Sequence, residues 1–190
     1  MKRMAAWTAA CLALAIVGCN KETAPPTAPQ EKKESGGTAP FLVKFEAERA
    51  DGGKVTLESL KGNVVLVDLF GTWCPPCRRA TPVIVSLYER YRTQGFEVVG
   101  LAYEGTETVE AAKEAVLAFK KDYGVPYVLA IGPEAVKEQI PGGFEGYPTM
   151  VLVDRQGVGR RHFVGFSPGE EATLGDEIEK LLAEPASGAK

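Results

Sequence analysis

A chain of 190 residues with 45% hydrophobic and 25% charged side chains has ordinary globular composition, which excludes the collagenous, low-complexity and wholly disordered classes. Its 22 Lys and Arg against 25 Asp and Glu give a formal net charge of −3, and the absence of a basic stripe argues against nucleic acid as a partner. The cysteines number four, at Cys11, Cys19, Cys74 and Cys77, an even count that invites a two-disulfide reading.

Lys2 and Arg3 precede an apolar run from Ala5 to Gly18, broken only by Thr8. At 1.5 Å per residue the run spans about 21 Å, short of a roughly 30 Å hydrocarbon core, so it reads as a secretory h-region. It ends in Ile16-Val17-Gly18-Cys19, which resembles the bacterial lipobox. The resemblance implies cleavage before Cys19 and a diacylglycerol on its sulfur. Residues 1–18 are thus expected to be a lipoprotein signal peptide, Cys19 the lipidation site, and Cys11 part of the discarded piece. Residues 19–40 carry Pro25, Pro26, Pro29 and Pro40 and the charge run Glu31-Lys32-Lys33-Glu34, with no aromatic side chain. Such a segment cannot bury enough surface to offset its chain entropy and is expected to be a disordered tether. The expected location is the periplasmic side of a bacterial membrane. Asn20 is not the aspartate that retains lipoproteins in the inner membrane of enteric bacteria, and inner and outer membrane both stay open.

From residue 41 to residue 184 the pattern is that of an α/β domain, with a flexible tail at 185–190. Phe41–Phe45 and Val55–Leu57 are short strand candidates around the Asp51-Gly52-Gly53 turn. Val64–Phe70 is a nearly continuous apolar run, the mark of a strand buried on both faces. Ala80, Ile84, Leu87 and Tyr91 have helical spacing within a helix predicted from Pro75 to Gln94, ended by Gly95. Phe96–Tyr103 is a second buried strand, and Val109, Ala112, Val116, Phe119 and Tyr123 mark a second helix. Tyr127–Ile131 reads as a strand, Pro133–Gln139 as a short helix, and Thr149–Asp154 with Arg160–Phe166 as a hairpin. A capping box, Ser167-Pro168-Gly169-Glu170, opens a last helix with Leu174, Ile178, Leu181 and Leu182 inward. Helices alternating with strands imply parallel crossovers. The expectation is a central mixed β-sheet flanked by helices on both faces, with an N-terminal β-hairpin extension.

The chemistry concentrates in Asp68-Leu69-Phe70-Gly71-Thr72-Trp73-Cys74-Pro75-Pro76-Cys77. Two cysteines three apart, where a strand meets a helix, can close a small disulfide ring. Cys74 would sit at the helix N-terminus, where free N–H groups and the macrodipole favour a thiolate. Cys77, one turn inward, would be more buried. Cys74 is therefore the expected nucleophile and Cys77 the resolving thiol. Pro75 and Pro76 lack N–H groups that a helix start leaves unpaired anyway. A structural disulfide is the competing reading. Half a zinc site would need two further ligands, and His162 is distant in sequence. Arg78 stands where haem attachment requires histidine.

The stretch Asn63–Pro82 resembles the thioredoxin superfamily, and Cys-Pro-Pro-Cys with an exported tether is similar to its TlpA/ResA branch of membrane-anchored thiol–disulfide oxidoreductases. The resemblance covers roughly residues 41–184 and implies a thioredoxin-like fold. Trp73 matches the aromatic residue before the first cysteine, and Pro82 the proline inside the first helix. Tyr147-Pro148-Thr149 stands where the family has its cis-proline, which would lie beside Cys74 and present the Tyr147 backbone to a partner peptide. Trp73, Pro75, Pro76 and Tyr147 are the implied partner-binding residues. Asp68, the one charge in its strand, matches the thioredoxin aspartate, whereas many members of the anchored branch carry asparagine. Burial would raise its pKa toward neutrality and suit it to take the Cys77 proton, and a strand carboxylate with an ordinary donor is the alternative.

Glu104 reads as a solvated loop charge, with the glutamate that reductases of the anchored branch often carry in this region as the alternative, and His162, beside Arg160 and Arg161, reads as a surface residue. The leading function is a lipid-tethered enzyme exchanging its dithiol with cysteines of extracytoplasmic proteins. The resemblance implies a reductant, serving cytochrome c maturation or metal-site assembly, resupplied by a membrane thiol-electron transporter. It implies no cofactor beyond the Cys74–Cys77 disulfide, no bound metal, and a monomer. The alternative is a copper metallochaperone using the same two thiolates, which suit Cu(I). A peroxiredoxin would want Thr-x-x-Cys, and Thr72 lies two before Cys74. An adaptor would leave the paired cysteines unexplained.

Overall fold

The computed structural model describes residues 40–185, so the expected signal peptide, Cys19, the expected tether up to residue 39 and the chain from residue 186 lie outside the described residues. The chain enters through a short strand, β1 (Phe41–Leu42), followed by a small hairpin, β2 (Glu46–Glu48) and β3 (Lys54–Thr56). Then come β4 (Val64–Phe70), α1 (Pro75–Tyr91), β5 (Phe96–Ala102), α2 (Val109–Asp122) and β6 (Val128–Ile131). A 3-10 helix at Glu134–Gln139 leads to β7 (Thr149–Val153), β8 (Val158–Val164) and α3 (Glu170–Ala183). Six strands form one mixed sheet in the order β1-β8-β7-β4-β5-β6. The neighbours of β4 are parallel β5 and antiparallel β7, and β5 pairs in parallel with β6.

The apolar run of β4 is explained by this central place: all seven of its residues are buried. Successive crossovers from β4 to β5 and from β5 to β6 run in the same direction, and with one handedness they land on one face of the sheet. Ile84 and Leu87 of α1, Val116 and Phe119 of α2, and Leu174 and Ile178 of α3 accordingly share a core with Leu66, Phe70 and Val98. The opposite face buries Val65, Val67, Leu69 and Val151 under Ala47 and Val55 of the hairpin and Val136 of the 3-10 helix.

The chain departs from the sequence reading in three places. The strand expected over Phe41–Phe45 divides: Phe41 pairs with Gly159 on the main sheet, while the hairpin begins at Glu46. The Gln139 side chain takes the place of a strand neighbour at the break, accepting from Lys44 N (2.7 Å) and donating to Lys44 O (3.0 Å). The capping box is half formed. Ser167 N donates to the Glu170 carboxylate, but Gly169, at φ 93°, occupies the cap position and the Ser167 hydroxyl does not cap. His162 is buried rather than exposed, because its register partner Val151 faces the second core and the Phe41 ring meets it edge-on at 6.2 Å. Burial lowers its pKa below the usual imidazole value.

Candidate active site

The C-terminal end of β4 delivers Gly71, Thr72 and Trp73 into a short loop, and α1 starts one residue after Cys74. Cys74 is the N-cap of α1: its Sγ accepts from the Cys77 amide at 3.3 Å, and its carbonyl accepts from Arg78 N at 3.1 Å. Pro75 and Pro76 occupy the first helical positions. Cys74 and Cys77 are joined as a disulfide with Cα atoms 5.3 Å apart. Both are buried, Cys74 at 3% and Cys77 at 1% exposure, so what distinguishes them is position on the helix dipole more than cover.

Thr72 is fixed on every side. Its amide donates to Glu104 Oε1 and its hydroxyl to Glu104 Oε2, both at 2.8 Å, and its carbonyl accepts from Arg78 Nε at 2.7 Å. Glu104 is therefore not a free loop charge. The signal was present in the strand register: Phe70 pairs with Ala102, and Thr72 and Glu104 each lie two residues beyond.

Trp73 is 55% exposed and lies over Gly71, where a Cβ would fall 2.7 Å from the indole. Its Nε1 donates to the Tyr103 carbonyl at 3.0 Å, and its ring meets Tyr147 edge-on at 5.7 Å. Tyr147 also packs on Tyr103 (5.5 Å) and Phe144 (4.8 Å). The Tyr147–Pro148 bond is cis. Gly165 N donates to Pro148 O at 2.8 Å and Thr149 Oγ1 to Gly146 O at 2.6 Å, so the loop is held from β8 and from within. Among the described residues, neither the N–H nor the C=O of Tyr147 takes part in a loop or turn hydrogen bond. Trp73 and Tyr147 are expected here from the sequence, whereas Tyr103 comes from just past the end of β5 and Phe144 from the loop that carries Tyr147.

Asp68 lies between Leu66 and Phe70, which point into the core that holds Cys74 and Cys77, and alternation puts its carboxyl on that same face. It is 5% exposed and its Oδ1 has no hydrogen-bond partner. Its strand neighbours are Gly100 and Met150, neither of which can donate from a side chain. Desolvation alone pushes its pKa from an ordinary 3.8 to about 7. Among the described residues, no three His, Cys, Asp or Glu side chains are grouped to hold a metal ion, and no helix is long and apolar enough to cross a membrane.

Comparison with known proteins agrees with this geometry. The redoxin family model matches residues 32–178. The chain is 32% identical over 146 residues to the thiol-disulfide oxidoreductase ResA of Bacillus thuringiensis strain Al Hakam, covering 76% of this chain and 78% of the relative. It is 34% identical over 130 residues to ResA of B. thuringiensis subsp. konkukian, covering 67% and 68%. The crystal structure of a thioredoxin-family thiol:disulfide interchange protein from Chlorobium tepidum TLS aligns with a TM-score of 0.64 at 26% identity, over 75% of this chain and 96% of that one. The chain belongs to the redoxin family and is a TlpA/ResA-like member of the thioredoxin superfamily.

Proposed function

We propose that the protein is a thiol–disulfide oxidoreductase whose redox group is the Cys74–Cys77 pair. The observation that carries this reading is the Cys74 sulfur at the N-cap of α1, accepting the Cys77 amide. An N–H aimed at the sulfur and the positive end of the helix stabilise a thiolate, the form that attacks a disulfide. In the reducing direction the Cys74 thiolate attacks one sulfur of the partner's disulfide, forming a mixed disulfide and expelling the partner's other sulfur as thiolate. Asp68 as carboxylate takes the Cys77 proton. The Cys77 thiolate then attacks Cys74 Sγ, closing the internal disulfide and releasing the second partner thiolate. Two electrons pass to the partner, and a dithiol donor restores the pair.

The finer reading is a lipid-anchored reductant on the periplasmic side of a membrane. Cys19 would carry the anchor, and residues 20–40 would tether the domain. Cysteine-containing extracytoplasmic proteins would be its substrates, and a membrane thiol-electron transporter its donor. It works as a monomer with Trp73, Pro75, Pro76 and the Tyr147–Pro148 backbone receiving the partner.

Two measurements test this. Cys77→Ser should trap a mixed disulfide between Cys74 and a disulfide-bonded protein, and Cys74→Ser should trap none. Equal trapping by both variants would reverse or abolish the assigned roles. The reduction potential of the pair, if below about −200 mV, supports a reductant, and a value near −120 mV makes it an oxidant. Stoichiometric Cu(I) binding with no disulfide exchange would favour a metallochaperone instead.

A further inference from the structure

Lys137 belongs to the 3-10 helix Glu134–Gln139, away from the cysteines in sequence, yet its ammonium reaches the aromatic cluster beside them. Nζ lies 4.2 Å from the centroid of the Tyr103 ring, 5.4 Å from Phe144 and 5.5 Å from Tyr147. On its open side both carboxylate oxygens of Glu134 accept from it, at 2.9 and 2.8 Å. A surface lysine ordinarily extends its head into water. This side chain is 21% exposed and turned inward, while its partner Glu134 is 77% exposed.

The three rings come from separate places in the chain. Tyr103 follows β5, seated where a Cβ on Gly132 would fall 2.4 Å from its ring, with its hydroxyl donating to Pro133 O at 3.0 Å. Phe144 and Tyr147 belong to the loop before β7. Nothing covalent keeps these rings in one orientation, and a cation facing their π clouds attracts each of them. Trp73 closes the set, hydrogen-bonded to the Tyr103 carbonyl and edge-on to Tyr147.

We propose that Lys137 is a positioning residue for partner recognition: its ammonium holds Tyr103, Phe144 and Tyr147 as one wall and thereby fixes the exposed face of Trp73 beside Cys74. The inference rests on the oxidoreductase reading and names what that site selects, protein disulfides whose cysteine is flanked by apolar or aromatic side chains. A small aliphatic disulfide has no such flank and gains nothing from the wall.

The test compares reduction of insulin with reduction of hydroxyethyl disulfide by Lys137→Met and Lys137→Arg. All proteins carry Trp7→Phe, so that Trp73 is the sole tryptophan. Lys137→Met should lower the ratio of the two rate constants about 3- to 10-fold, through the KM for insulin, with kcat within about twofold. Acrylamide quenching of Trp73 should rise with it. Lys137→Arg, which keeps a cation over the rings, should restore both. An unchanged ratio in Lys137→Met, or no rescue by arginine, overturns the proposal. If the parent protein reduces neither disulfide, the oxidoreductase reading itself fails. Quenching then decides the positioning claim alone, and an unchanged value in Lys137→Met overturns it.

Discussion

Glu104 holds Thr72 with both carboxylate oxygens, 2.8 Å from its amide and 2.8 Å from its hydroxyl. The clamp joins the ends of two parallel strands at the point where the chain turns toward Cys74. The first prediction follows from this pair. Glu104→Ala leaves the Thr72 amide and hydroxyl without acceptors and should cost about 1–3 kcal/mol in urea unfolding, since hydrogen bonds to a charged group are the stronger kind. Glu104→Gln keeps one acceptor oxygen and should cost less. Equal stability of all three proteins at equal urea dependence would mean that the clamp contributes nothing.

Asp68 makes stability fall as pH rises. Its carboxyl binds a proton more tightly folded, at about 7, than unfolded, at 3.8. Between those values the folded state holds more protons, so unfolding free energy declines with pH and levels off above about 7. The full loss is on the order of 4 kcal/mol. Asp68→Asn should remove this decline and be the more stable protein at pH 8. Urea midpoints measured from pH 5 to pH 8 check it. The same variant should slow turnover with a protein disulfide most above pH 7, where the wild-type carboxylate is charged and able to take the Cys77 proton.

His162 acts in the opposite sense. Its pKa is lowered by burial, against a smaller opposing pull from Glu145. A depressed imidazole favours the neutral folded form, so stability is lost as pH falls below about 6.5. The position lies against Phe41, so His162→Leu keeps an apolar contact and should abolish the loss. Unfolding at pH 5 and pH 7 separates this from Asp68, which changes with the other sign.

Gly71 is required by Trp73 and not by its own backbone angles. A methyl group there meets the indole at 2.7 Å, and the partly exposed ring is free to move away. Gly71→Ala should therefore displace Trp73 and break its bond to the Tyr103 carbonyl. The cost in stability should be about 1 kcal/mol, the net worth of one hydrogen bond. A red shift in Trp73 fluorescence, with weaker capture of a disulfide-bonded protein by the Cys77→Ser variant, is the expected outcome.

Strands and helices were legible because burial leaves periodic traces. The apolar run Val64–Phe70, interrupted only by Asp68, is a central strand, and Ile84, Leu87 and Tyr91 face the core as their spacing requires. The N-terminal segment was less legible. Val43, Phe45 and Ala47 alternate as one strand would, but periodicity does not say with which neighbour a strand pairs, and here the partner changes midway. His162 misled for a related reason. Two arginines just before it suggest a surface, yet Arg161 is neutralised by Glu177 at 3.0 Å and Arg160 by Asp154 and Glu184, and pairing opposite Val151 turns the imidazole inward.

The sequence by itself determined the reacting pair, because two cysteines at a strand-to-helix junction need only local geometry to become the N-cap and the first turn of α1. It also determined the lone charge of β4, since an aspartate in an apolar strand must be buried. The tertiary structure decided everything that depends on distant pieces of chain meeting. It placed Gly100 opposite Asp68 and left its Oδ1 without a donor. It set Glu104 against Thr72 through the parallel register, and it gathered Tyr103, Phe144, Tyr147 and Lys137 around Trp73. Local pattern records which side chains are buried. Which of them become neighbours is settled only when the sheet closes its register and the loops pack across its end.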